Sequence, residues 1–211
     1  MRRIKKSSEP RELLEYRLSS DPNKSYDNFR DKGALREATA KDQGFLCAYC
    51  MARIRPESLR IEHHRSRALH PDQTLSWTNL VACCHGNRGS PPSEQTCDVR
   101  KGERDIELSP LDESVRTITC LLSGRVESSR STYQCEIDEV LNLNLPRLQQ
   151  QRREAVEGAR EGLSKRLGND SPWTKGQLQR ELDRVRSLSE LPEFLGAVEA
   201  FVEHLIRRRQ K

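Results

Sequence analysis

The chain has 211 residues, of which 34% are hydrophobic and 33% charged, with a formal net charge of +5 and a pI near 8.9. This is a thin supply of core for the length, so an elongated fold, a bound metal or a partner chain is expected to supply part of the stability. No apolar run is long enough for a membrane span, and no apolar stretch follows the basic MRRIKK start as a signal peptide would require. A cytoplasmic protein is expected, and there spaced cysteines are more often metal ligands than disulfides.

In chain order, residues 8–18 read as a short amphipathic helix with Leu13, Leu14 and Leu18 on one face. Residues 33–43 read as a second helix, stopped by Gly44. Residues 115–127 alternate as a hairpin with its turn at Ser123-Gly124. From Pro146 onward the pattern is helical. Leu148, Val156, Ala159, Leu163 and Leu167 mark one helix. Ser171-Pro172 opens a second, carrying Leu178, Leu182 and Val185. Ser189 to Pro192 opens a third, carrying Leu195, Val198, Val202 and Leu205. The chain divides into an N-terminal helical arm (1–44), a central module (45–127) and a C-terminal helical lobe (128–211).

The central module holds the residue types that carry chemistry. Cys47 and Cys50 form a C-x2-C pair, and a distant pair, Cys84 and Cys97, flanks a loop rich in Gly, Ser and Pro. Such spacing lets four thiolates meet one zinc ion and tie two loops together. Cys83 competes with Cys84 as third ligand. Cys120 and Cys135 lie outside the pattern and read as small buried hydrophobes.

Between the cysteine pairs lies IEHHRSR, followed by W-T-N-L and C-D-V-R-K-G. Phosphodiester hydrolysis needs a base, a hard cation and oxygen ligands to hold it. His63 can be the base. Glu62 and Asp98 can hold Mg²⁺, and Lys101 with nearby arginines can hold phosphates. Taken singly, each residue has a plainer reading: Asn79 as a helix cap, the histidine pair as a solvated turn or extra zinc ligands. A zinc-dependent binding module without catalysis would use the cysteines and the basic residues, but not Glu62, His63 and Asp98 together.

These phrases resemble the HNH nucleases with a ββα-metal core. The phrases CAYC, IEHHRSR, NLVACCHGN, CDVRKG and LNLNLPRL more closely resemble the HNH subunit of Septu and retron-type anti-phage systems (PtuB-type). The resemblance covers roughly residues 1–165 and is specific over 47–104. It implies an α+β fold: a small zinc-stapled ββα-metal module framed by N- and C-terminal α-helices. It also implies Glu62 as acidic ligand of a catalytic Mg²⁺ or Mn²⁺, His63 as general base and Asn79 as brace of the catalytic loop. Asp98 falls where a metal-binding Asn or His is commoner, and Lys101 where a basic residue meets the backbone. Cys84 is preferred to Cys83 because in that family a single cysteine precedes the His-Gly. The implied activity is endonucleolytic cleavage of nucleic acid, DNA before RNA, leaving a 5′-phosphate and a 3′-hydroxyl. An ABC/SMC-like ATPase is the implied partner. Because His64 stands beside His63, a one-residue shift of register, with His63 as ligand and His64 as base, stays open.

Overall fold

The computed structural model describes residues 1–168 and 172–209. The fold is α+β: among the described residues there are seven α-helices and two small antiparallel sheets. Helix α1 (Arg11–Leu18) and helix α2 (Lys32–Asp42) come first, and their Leu13 and Leu35 pack with Trp77 and Leu80. Gly44, at φ 60°, turns the chain after α2. A Cβ there would stand 2.4 Å from the side chain of Leu191, so the turn and the packing both require glycine.

The central hairpin pairs β1 (Arg60–His63) with β2 (Leu80–Cys83), Arg60 opposite Cys83 and His63 opposite Leu80. A short helix, α3 (Cys97–Lys101), completes a strand–strand–helix unit. The second sheet pairs β3 (Ile118–Cys120) with β4 (Val126–Ser128). It confirms the expected hairpin but is shorter. Residues 113–117 form a 3₁₀ turn instead, so Val115 is buried from a turn and not from a strand.

Helices α4 (Ser131–Cys135), α5 (Pro146–Leu167), α6 (Lys175–Arg186) and α7 (Leu195–Arg208) follow. Pro146 occupies the first turn of α5, where a missing N–H costs nothing. The expected start of α6 is displaced. Ser171 lies outside the described residues, Pro172 precedes the helix, and Thr174 caps it in a reciprocal box with Gln177. Cys135 is exposed and Cys120 half-buried, so neither is the buried hydrophobe that was expected.

The main core draws Ile4, the Cys47–Cys50 turn, β2, Leu141, Leu143, Leu148, Phe194 and Ala197 into one cluster. The LNLNLP segment works as a clasp within it. Asn142 donates to the carbonyls of Ser93 and Gln95, Asn144 brackets Val126 through both its amide atoms, and the Leu141 carbonyl accepts from Cys97 N. A second cluster holds Leu13, Tyr26, Phe29, Leu35, Trp77 and Leu80. Of the expected leucine stripe on α1, only Leu13 is buried. Leu14 is 37% exposed and Leu18 69%, because α2 and Trp77 meet a narrower face than the three-leucine pattern suggests.

Candidate active site and metal centre

The Cys47–Cys50 turn is closed by Cys47 N donating to the Ala52 carbonyl and by Met51 N to Cys47. Gly86, at φ 53°, folds the 84–97 loop back, and Thr96 N donates to its carbonyl. A Cβ on Gly86 would lie 2.4 Å from the Thr96 oxygen, so only glycine permits this closure. The two turns bring Cys47, Cys50, Cys84 and Cys97 together, with all four sulfurs within 4.8 Å of one another. Three of the sulfur pairs measure 3.7–3.8 Å. A tetrahedron with zinc–sulfur bonds of about 2.3 Å has edges of about 3.8 Å. The group could therefore hold a metal ion, and its donors and spacing suit zinc. Cys47 pushes the Cys84 and Cys97 thiols far up through the sulfur–sulfur hydrogen bonds. A cation is what lets four crowded thiols ionise together. Cys83 is buried at the end of β2, outside this group.

On β1, Glu62 and His63 face opposite ways, as successive strand residues must. Glu62 Oε1 receives Lys101 Nζ at 2.8 Å and the Tyr49 hydroxyl at 3.4 Å. Burial pushes its carboxyl up to about 7, against the pull of Lys101. Asp98, on the first turn of α3, accepts from Arg60 Nε at 2.6 Å through Oδ2. Its Oδ1 is buried without a hydrogen-bond partner among the described residues. Burial pushes this carboxyl up as well, opposed by Arg60. Each carboxylate thus has one oxygen held by the protein. The orphaned Asp98 Oδ1 is an oxygen donor of the kind a hard cation takes.

His63 Nε2 lies 2.9 Å from the Thr74 carbonyl. A carbonyl only accepts, so Nε2 carries the proton, and in the neutral ring Nδ1 keeps its lone pair. Tyr26 packs edge-on against the imidazole, with centroids 4.5 Å apart. Burial pushes the His63 pKa down to about 4, so the ring is neutral at pH 7. His64 is buried too and likewise pushed down to about 4. It points towards Tyr49, whose hydroxyl is 3.5 Å from Nδ1, and its Nε2 is buried without a partner.

Asn79 clamps the loop between the strands. Its Oδ1 accepts from Arg65 N at 2.7 Å, its Nδ2 donates to the carbonyls of Arg65 and Gln73, and its own carbonyl accepts from His64 N. Lys101, expected to meet phosphate, is instead 1% exposed and held by Glu62 and the His63 carbonyl. Its charge is used inside the site, and the cations of this loop nearer the surface are the exposed Arg65, beside Asp105, and the half-buried Arg67, paired with Asp27.

Sequence reasoning missed Arg60, Tyr49, Tyr26 and Thr74. Arg60 and Tyr49 left a signal: Arg60 is two residues from Glu62 on the same strand face, and Tyr49 sits in the gap of the C-x2-C pair. Thr74 acts through a backbone carbonyl, which no side-chain pattern announces.

Among curated proteins, the chain is 31% identical over 119 residues to "Retron Ec83 putative HNH endonuclease" of Escherichia coli, covering 48% of this chain and 46% of that protein. It is 25% identical over 138 residues to "Retron Vc95 putative HNH endonuclease" of Vibrio cholerae serotype O1 biovar El Tor, covering 60% and 65%. The chain is similar to HNH endonucleases. It spans less than two thirds of the length of either of these relatives. No family model matches it. The HNH likeness agrees with the strand–strand–helix unit and with the histidine, asparagine and acidic residues gathered on it. Among the described residues no helix is long and apolar enough to cross a membrane.

Proposed function

We propose that this protein is an HNH endonuclease that hydrolyses phosphodiester bonds of nucleic acid, DNA before RNA. The observation that carries the reading is the His63–Thr74 hydrogen bond, which puts the ring proton on Nε2 and leaves Nδ1 its lone pair, while burial keeps the imidazole neutral. A base in that state takes a proton from water without first having to lose one. His63 is the general base, Asn79 braces its loop, and Arg65 and Arg67 bind the backbone of the nucleic acid. Zinc in the four-cysteine group is structural.

Glu62 and Asp98 would hold Mg²⁺ or Mn²⁺, using the oxygens that Lys101 and Arg60 leave unclaimed. Such an ion supplies positive charge for the phosphorane and the leaving oxygen. Lys101, by holding Glu62 and the His63 carbonyl together, fixes the carboxylate relative to the base. The resemblance to the nuclease subunits of anti-phage systems supports a defence role in the cytoplasm beside an ABC/SMC-like ATPase.

The test is incubation of the full chain, alone and with such an ATPase, with single- and double-stranded DNA and RNA in the presence of Mg²⁺ or Mn²⁺. Cutting that leaves 5′-phosphates and vanishes in His63→Ala supports the reading. Binding without any cutting favours a non-catalytic zinc-dependent module.

A further inference from the structure

Both carboxylates of the proposed divalent site already carry a cation that belongs to the protein. Lys101 Nζ sits on Glu62 Oε1, and Arg60 Nε on Asp98 Oδ2. Two nearby buried carboxylates raise each other's cost of ionisation, and a charge left unpaired in the interior is strongly destabilising. Lys101 and Arg60 therefore let the ion-free site fold with its charges compensated. A divalent ion on the unclaimed oxygens would bring two more positive charges to the same two carboxylates. The neighbouring cations then repel it, and the more mobile of them is the one to yield.

The two resident cations differ in freedom. Lys101 lies on α3 with its side chain 1% exposed, and it also donates to the His63 carbonyl at 3.3 Å. It has no open path to solvent. Arg60 begins β1, and its side chain is 34% exposed. Among the described residues its guanidinium makes one hydrogen bond, through Nε to Asp98. Arg60 also lies on the strand face that carries Glu62, at the rim of the same site. A guanidinium freed there would stand beside the carboxylates with its planar fork unengaged, the geometry suited to a phosphate.

Resting on the reading of Glu62 and Asp98 as ligands, we propose that Arg60 is a resident counter-cation of Asp98 that the divalent ion displaces, which frees its guanidinium for the phosphate of the nucleic acid. Metal loading and delivery of an arginine to the substrate would then be one event.

The experiment is Mn²⁺ binding to the zinc-loaded full chain, followed by electron paramagnetic resonance of the free ion. The proteins compared are the wild type, Arg60→Gln, Arg60→Lys and Glu62→Ala. Glutamine keeps a donor for Asp98 Oδ2 but carries no charge. Arg60→Gln should tighten Mn²⁺ binding roughly three- to thirtyfold, the range expected for removing one partly screened charge. Arg60→Lys should bind as the wild type does. In the wild type, Mg²⁺ should also expose the Arg60 Nε–H to faster solvent exchange by NMR. Unchanged or weaker binding in a folded Arg60→Gln protein would overturn the displacement and make Arg60 a fixed brace. If Glu62→Ala alone abolishes binding, the metal site stands whatever Arg60 does. If the wild type binds no Mn²⁺ that depends on Glu62, the metal site falls, and the displacement falls with it.

Discussion

His63 and Thr74 are joined ring nitrogen to backbone carbonyl at 2.9 Å, so the tautomer of the proposed base is set by the loop that the base itself leads into, while burial keeps the ring neutral. Removing the imidazole should leave that loop standing, because Asn79 holds it independently. His63→Ala is expected to lower cutting about 10²- to 10⁴-fold, the usual contribution of a general base, with zinc content and fold retained. His64→Ala should instead lower the melting temperature, since it opens a cavity beside the fully buried Tyr49. A dead but stable His64→Ala beside an active His63→Ala would move the base by one residue.

Glu62 gives the pH dependence its sign. Its carboxyl is pushed up to about 7 by burial and faces Lys101, Asp98 and Tyr49. A protonated carboxyl must release its proton to take a cation. Mn²⁺ affinity should therefore be flat above about pH 7 and fall about tenfold per unit below it. His63 adds nothing in that window because it stays neutral down to about 4. In the ion-free protein the same raised value means that the folded state binds the extra proton between about 4.5 and 7. This group's contribution to stability is then lost as pH rises through that range. Isothermal titrations with Mn²⁺ at pH 6, 7 and 8 check the first expectation, and an affinity independent of pH would refute it.

The four-cysteine group should control folding more than chemistry. One zinc per chain is expected by elemental analysis. Cys47→Ser, or exhaustive chelation, should unfold the central module, because the sulfurs join the Cys47–Cys50 turn to the 84–97 loop across the core. Cys135→Ser, at an exposed thiol outside the group, should change neither zinc content nor melting temperature.

Helix α1 provides a contrast between neighbouring leucines. Leu13 is fully buried against Tyr26, Phe29, Leu35, Trp77 and Leu80. Leu13→Ala should cost about 2–5 kcal/mol. Charged replacements at the exposed Leu14 and Leu18 should each stay within about 0.5 kcal/mol. Chemical denaturation of the single mutants separates the two outcomes. Equal losses at all three positions would show that the whole stripe is packed.

Sequence alone determined a good deal here. The cysteine spacing, the Glu62-His63 pair and Asn79 were legible because each depends on residue type and short-range spacing, and the α+β class followed from the resemblance to HNH nucleases that those residues carry. So was the burial of α7, where Leu195, Val198 and Val202 keep helical period. Tertiary structure decided the rest. It bore out the preference for Cys84 over Cys83 in the sulfur group, since β2 buries the one and the following turn presents the other. It sent Lys101 inward to Glu62 and drew Arg60 to Asp98, pairings set by how α3 lies across the hairpin. It divided the leucines of α1 into one buried and two exposed, because the partner face is narrower than the stripe. The physical reason is common to all of these. Local spacing fixes which side chains share a face, but the charge or burial of each depends on what packs against that face from distant parts of the chain.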